Sequence, residues 1–224
     1  MSPSLKAWLW LSVLALVMGA LIFGAAGDLR FWRGWAFLAV FFGASALITQ
    51  YLIANDPALL ERRVKGGPTQ ETEPTQRLIM VFMSLGFVAI IVVAGLDHRF
   101  GWSQAPAIVA LAGDGLIAVG FFVLFLVFRQ NSFASSTIGV VEGQTLVSTG
   151  PYAIVRHPMY AGALIYLIGT PLALDSYWGL AALALMGPIL IWRLVDEERV
   201  LEQRLPGYAE YKRKVRYRLA PGVY

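Results

Sequence analysis

Long uncharged apolar blocks recur along the chain, separated by short polar segments. Ala7 to Gly27 is the first, about 21 residues, close to the length a helix needs to cross roughly 30 Å of hydrocarbon at about 1.5 Å per residue. Gly34 to Asn55 and Leu78 to Leu96 repeat the pattern, and Pro106 to Phe128 does so with Asp114 as its one interruption. Two shorter blocks follow, Pro158 to Leu174 and Ser176 to Trp192, each of about 17 residues, at the lower edge of spanning length. Asp175-Ser176 between them leaves room only for a tight hairpin. The pattern predicts an all-α, multi-pass transmembrane helical bundle of about six spans. A cleaved leader is the rival for the first block, with Lys6 before it and small residues at Gly24-Ala25-Ala26-Gly27, but its apolar run exceeds the usual ~7–15 residues.

The polar segments differ in kind. Asp56 to Gln76 carries Gly66-Gly67-Pro68 and alternating Thr, Gln and Glu, the composition of an exposed loop. Gln130 to Arg156 is rich in Ser, Thr and Gly and long for a passive connection. The tail from Asp196 to Tyr224 mixes charge with Leu201, Leu205, Tyr208, Tyr211 and Val215, a spacing suited to a helix lying at the interface. No internal repeat is visible, and no composition break divides the chain sharply.

Composition strengthens the membrane reading. At 58% hydrophobic and 14% charged residues, with a mean hydropathy of +0.64, the chain has more apolar surface than one soluble core can hide. Cysteine is absent and histidine occurs twice, which excludes disulfides, thiolate metal sites, a Cys nucleophile and a His-built metal cage. The net charge of +4 reads as orientation rather than nucleic-acid binding. With the N-terminus inside, fifteen of the eighteen Lys and Arg residues fall on the inner side, against Arg30, Arg33 and Arg99 outside. The positive-inside rule then predicts cytoplasmic termini, on the plasma membrane in a prokaryote.

Two clusters carry candidate chemistry. In Gly150-Pro151-Tyr152 through Arg156-His157-Pro158-Met159-Tyr160-Ala161-Gly162, Gly-Pro favours a turn and Pro158 suits a first helical turn. A helix start beside Arg156, His157 and two tyrosines can hold a polar ligand at the membrane surface. The same residues also read as the edge of a span with an aromatic belt. Arg193 followed by Asp196-Glu197-Glu198 puts three acids beyond an apolar helix, where the macrodipole disfavours anions. Either Arg199 and Arg204 offset that charge at the surface, or a bound cation does. Asp114, within a span, and Asn131, just beyond one, are weaker leads.

Together the run Gln144-Thr145-Leu146-Val147-Ser148-Thr149-Gly150-Pro151-Tyr152, the segment Arg156 to Gly162, and Arg193 with Glu197-Glu198 after a helical hairpin resemble the isoprenylcysteine carboxyl methyltransferase family. Gly207-Tyr208-Ala209-Glu210-Tyr211 and Arg218-Leu219-Ala220-Pro221-Gly222 also fit its pattern, so the likeness covers roughly Phe128 to Tyr224. The resemblance implies 128–224 as a cofactor-binding region of inner loop, helical hairpin and tail; residues 1–127, whose first three spans resemble no named family, are read as transmembrane scaffold and lipid-substrate side. It implies a cytoplasm-facing pocket for S-adenosyl-L-methionine touched by Gln144, Thr145, Leu146, Val147, Tyr152, His157, Pro158, Met159, Tyr160, Glu197 and Glu198. Gln144 stands where eukaryotic relatives often have His. Arg193 falls where family members place an arginine near the reacting end of the substrate.

The residue chemistry is compatible with this. A sulfonium and an ammonium call for carboxylates and aromatic faces, and methyl transfer needs alignment rather than a metal. A carboxylate acceptor needs no base, whereas for an amine or thiol His157 is the nearest candidate. Arg193 pointing into the cavity would bind a carboxylate as a planar fork. The expected partners are a lipophilic or lipidated substrate and membrane lipids, with no nucleic acid. Two other readings stand beside it: an NADPH-dependent sterol- or steroid-type reductase, and a non-enzymatic membrane protein. The first needs basic groups for phosphates, and residues 130–155 contain no Lys or Arg.

Overall fold

The computed structural model of the chain describes residues 1–66, 71, 73–135, 137, 139–140 and 143–223. Among them the regular secondary structure is helical: α1 (Pro3–Ala26), α2 (Trp32–Asn55), α3 (Pro57–Val64), α4 (Pro74–Phe100), α5 (Ala107–Gln130), a 3₁₀ turn at Gly150–Ala153, α6 (Pro158–Ala173), α7 (Tyr177–Arg204) and α8 (Tyr208–Lys214). Helices α1, α3, α4 and α6 open on a proline, whose fixed φ and missing N–H fit a first turn. Helices α1, α2, α4, α5 and α7 are long and apolar enough to cross a membrane, while α6 has 16 residues. All six apolar blocks are therefore helices, five of them of crossing length, and the chain is a membrane protein.

Two boundaries differ from the sequence expectation. The last span does not stop near Trp192: α7 runs unbroken for 28 residues to Arg204, about 42 Å of helix against roughly 30 Å of hydrocarbon. Its final turns extend beyond the apolar layer, and Asp196, Glu197 and Glu198 lie within the helix. The macrodipole argument for a compensating cation therefore falls, and the expected interfacial helix reduces to α8. The segment from Asp56 also holds an unforeseen helix. Asp56 caps it, its carboxylate accepting from the Leu59 N–H at 2.9 Å, and Leu59 and Leu60 are buried. Residues 67–70 and Thr72 of the expected exposed loop lie outside the described residues, as do residues 136, 138, 141 and 142 of the inner loop.

The long helices and α6 form a closed ring in the order α1, α4, α7, α6, α5, α2. Aromatic side chains fill its middle, with Phe41 edge-on to Phe121 at 5.0 Å and to Tyr166 at 6.1 Å between ring centres. One apolar core joins α1, α2, α3, α4, α5 and the end of α6. The most extensive pair is α5 with α6, packed through glycines seven residues apart on each helix. A Cβ on Gly113 would stand 2.8 Å from the Gly169 carbonyl oxygen, and one on Gly120 would stand 2.6 Å from that of Gly162. Such backbone approach is how helices associate without a hydrophobic driving force between them.

All seven tryptophans are exposed, as an aromatic belt requires. Trp32, Trp35, Trp102 and Trp178 ring the end holding the α1–α2, α4–α5 and α6–α7 connections. Trp8, Trp10 and Trp192 lie towards the end holding both chain termini. At the first end the α6–α7 hairpin is pinned by polar contacts. Asp175 pairs with Arg33 and accepts from the Ala105 N–H at 2.5 Å, while the Ser176 hydroxyl donates to Asp97 at 2.6 Å and caps α7 through the Gly179 N–H. Asp175 holds the turn at φ 63°, a region Asp tolerates better than most side chains.

Candidate functional site

At the end carrying the termini, a cavity opens between the start of α6, the last turns of α7, α8 and the segment following α5. Its walls are built locally. Asn131 ends α5, and its carboxamide oxygen accepts from the Phe133 N–H at 2.9 Å while its Nδ2 donates to the Tyr152 hydroxyl at 2.9 Å. Gly150, at φ 59°, and Pro151 turn the chain into the 3₁₀ turn that presents Tyr152. Burial raises the Tyr152 phenol to about 12, the Asn131 hydrogen bond opposing and the Glu197 charge adding to the rise, so Tyr152 is a neutral donor and acceptor. The Tyr211 hydroxyl donates to the Tyr152 carbonyl at 2.8 Å and locks α8 against that turn. The tail closes the other side, its Tyr217 and Arg218 carbonyls each accepting at 2.9 Å from the N–H groups of Arg156 and His157.

The adjacent acids on α7 have different surroundings. Glu197 lines the cavity and accepts the Tyr160 hydroxyl proton at 2.5 Å. Glu198 is buried behind it, accepting from Arg156 Nε at 2.7 Å and Arg218 Nε at 3.1 Å, with His157 Nε2 at 3.2 Å. Arg156 also donates to the carbonyls of Val215 and Arg216, so Glu198 ties together α6, α7 and the tail. Successive helical residues point about 100° apart, which is why one acid of the pair meets the cavity and the other the protein.

Arg193 lies outside the cavity lining. Its Nε donates to the Tyr160 hydroxyl and its Nη1 to Gln76 Oε1, each at 3.0 Å. Gln76 is fully buried and in turn donates to Asp196. Arg193 thus reaches the cavity through Tyr160, whose hydroxyl takes a hydrogen bond from the arginine and gives one to Glu197.

Of the residues singled out from the sequence, Gln144, Thr145, Leu146, Val147, Tyr152, His157, Pro158, Met159, Tyr160 and Glu197 line one cavity. Glu198 and Arg193 do not. Asn131 joins the lining, whereas Asp114 sits two turns into α5 from the opposite end, buried, with one carboxylate oxygen lacking a partner among the described residues. The sequence reading missed Leu201, Leu205 and Tyr208 as wall residues. Glu197, Leu201 and Leu205 repeat at i, i+4 and i+8, a one-face spacing that is legible once α7 is known to continue. The Tyr208 hydroxyl is buried in the wall with no hydrogen-bond partner among the described residues. Burial, with the nearby Glu198 and Glu197 charges, holds that phenol far above its ordinary range. No three His, Cys, Asp or Glu side chains are placed to hold a metal ion among the described residues.

Comparison with known proteins gives the family. The family model for phospholipid methyltransferases matches residues 108–206, from the start of α5 to just past α7. Across 165 residues the chain is 34% identical to the cobalt-zinc-cadmium resistance protein CzcN of Cupriavidus metallidurans, covering 71% of this chain and 68% of that one. It is 23% identical over 128 residues to the nickel-cobalt-cadmium resistance protein NccN of Alcaligenes xylosoxydans xylosoxydans, covering 57% and 58% respectively. The cavity walls from Asn131 to Leu205 all lie inside the matched segment, and the resemblance carried by Gln144 to Glu198 points the same way. The chain belongs to the phospholipid methyltransferase family of membrane proteins, which it shares with isoprenylcysteine carboxyl methyltransferase-like enzymes.

Proposed function

We propose that the chain is an S-adenosylmethionine-dependent methyltransferase that converts a carboxylate on a lipophilic acceptor into its methyl ester, with cavity and termini on the cytoplasmic side. One observation carries the cofactor reading. Among the described residues one carboxylate, Glu197, stands among the rings of Tyr152, Tyr160 and Tyr208 in a cavity one of whose buried hydroxyls has no partner. A carboxylate beside aromatic faces suits a ligand carrying ammonium and sulfonium charges, and the Tyr208 hydroxyl is free to hydrogen-bond it. Gln144 to Val147 line the same cavity. The clustering of fifteen of eighteen basic residues at one end supports the orientation.

When bound, S-adenosylmethionine supplies a methyl group on sulfonium sulfur, which passes to the acceptor oxygen while the carbon–sulfur bonding pair returns to sulfur. The protein's part is alignment and exclusion of water. A carboxylate acceptor has no proton to lose, so no base is required. His157, stacked edge-on to Tyr160 at 5.7 Å and bound to Glu198, then serves to shape the wall. Arg193 acts as a positioning residue, holding Tyr160 and through it Glu197. The relatives' names concern metal resistance, but no observation on the described residues favours a metal-binding reading of this chain.

The test uses S-adenosylmethionine tritiated in the methyl group, added to membranes carrying the chain. Label is expected in the organic extract and, after mild alkali, in volatile methanol, because esters hydrolyse where N-methyl and S-methyl groups do not. Label that resists alkali would overturn the carboxylate assignment. No label above that of membranes carrying Glu197→Ala would overturn the transferase reading.

A further inference from the structure

A second cavity, of about 840 Å³, lies between α1, α2, α3 and α5 at the same end of the bundle. Its walls are mainly apolar, including Leu11, Leu14, Ile48, Leu52, Phe121 and Leu124. At its inner edge stands Arg63 of α3. The other basic side chains lining the two cavities sit beside acids: Arg156 and His157 meet Glu198, and Lys65, on the second cavity, pairs with Glu61 at 2.6 Å. Arg63 has none among the described residues. Its guanidinium stacks on Phe128 at 4.2 Å, donates to the Ala134 carbonyl at 3.1 Å and lies 4.0 Å from the Met159 sulfur.

Ala134 and Met159 line the first cavity, whereas Arg63 and Phe128 line the second. The guanidinium therefore occupies the seam between the two. A cation set among helices without a counter-ion is costly. Burial lowers it to about 10, still far enough above neutrality to keep it charged. The Phe128 face and the Ala134 carbonyl offset part of that cost, and an anion would offset the rest.

We propose that the cavity between α1, α2, α3 and α5 takes the single apolar chain of a carboxylate amphiphile and that Arg63 receives its carboxylate, presenting the headgroup at the seam with the first cavity. The apolar walls suit a hydrocarbon chain, and the planar guanidinium suits a carboxylate. This deepens the function proposed above and rests on it for the reaction at the carboxylate. It gives Arg63 the substrate-binding part that the family resemblance implies for Arg193, which lies outside the first cavity's lining and whose contacts include Tyr160 and Gln76.

The test measures binding of tritiated palmitate and tritiated hexadecanol to the purified full chain in non-ionic detergent, at alkaline pH so that the acid is ionised. Titration with S-adenosylhomocysteine runs alongside. The native chain should bind palmitate about tenfold or more tightly than hexadecanol, as expected of one charge-assisted contact. Arg63→Met should reduce palmitate to the level of hexadecanol, leaving hexadecanol and S-adenosylhomocysteine unchanged, and Arg63→Lys should restore part of the difference. Thr49→Trp, which fills the cavity away from Arg63, should weaken both lipids and leave S-adenosylhomocysteine alone. A palmitate preference that survives Arg63→Met, or lipid binding untouched by Thr49→Trp, would overturn the proposal. Should S-adenosylhomocysteine fail to bind even the native chain, the transferase reading falls, while the two lipid comparisons still decide the carboxylate site.

Discussion

Replacing Glu197 with alanine is expected to weaken S-adenosylhomocysteine binding roughly a hundredfold, about 3 kcal/mol, with little change in thermal stability. Among the described residues Glu197 is the acid that lines the cavity, so its removal takes away the carboxylate facing the ligand's amino group. It also leaves the Tyr160 hydroxyl without its acceptor, and Tyr160→Phe separates that contribution because it keeps the carboxylate. The neighbouring acid provides the contrast. Glu198→Ala strips the buried Arg156 of its partner and should cost about 3–5 kcal/mol of stability, as one-sided removal of a buried ion pair does. Titration calorimetry and thermal unfolding of both variants check the division. Native affinity in Glu197→Ala would show that the cofactor lies elsewhere, and destabilisation by it rather than by Glu198→Ala would reverse the roles given to the two acids.

The second large effect is expected in the scaffold. Gly120→Leu should cost about 3 kcal/mol or more, because its Cβ would stand 2.6 Å from the Gly162 carbonyl oxygen and 2.7 Å from the Tyr166 nitrogen. Those are backbone atoms, so no rotamer change relieves the clash and α6 must move as a whole. Since α6 begins at Pro158 and carries Met159 and Tyr160 into the cavity, S-adenosylhomocysteine binding should fall as well. Gly115→Leu on the same helix is the control, since a Cβ there meets nothing within 4 Å. Melting curves in detergent that coincide for the two variants would show that close α5–α6 packing does not hold the bundle together.

How far the sequence reveals this arrangement depends on the kind of signal. Span existence is legible because some twenty apolar residues in a row have few alternatives, and Pro158 does begin a helix as a first-turn proline should. The length of α7 is less legible. Charge from Arg193 onward reads as the end of a span, yet a helix leaving the apolar layer has no reason to stop, and Leu201 and Leu205 keep one face apolar as it continues. Helical phase is the finer loss. Glu197 and Glu198 are equivalent in a list of acids, and only the direction of α7 assigns one to the cavity and the other to Arg156.

Arg63 shows a different blind spot. It lies in a segment whose composition reads as an exposed loop, although Asp56-Pro57 is an adequate helix-start signal and Leu59 and Leu60 are the residues that bury α3. Its proximity to Met159, 96 residues along the chain, is a tertiary fact that no local pattern carries. The same holds for Gln76, whose contacts with Arg193 and Asp196 join α4 to α7.

The most direct test of the central claim is calorimetric titration of the detergent-purified full chain with S-adenosylhomocysteine and, separately, with NADPH. Saturable one-to-one binding of S-adenosylhomocysteine, greatly weakened in Glu197→Ala and with no heat from NADPH, is the predicted result. Binding of NADPH alone, or of neither ligand, would contradict it.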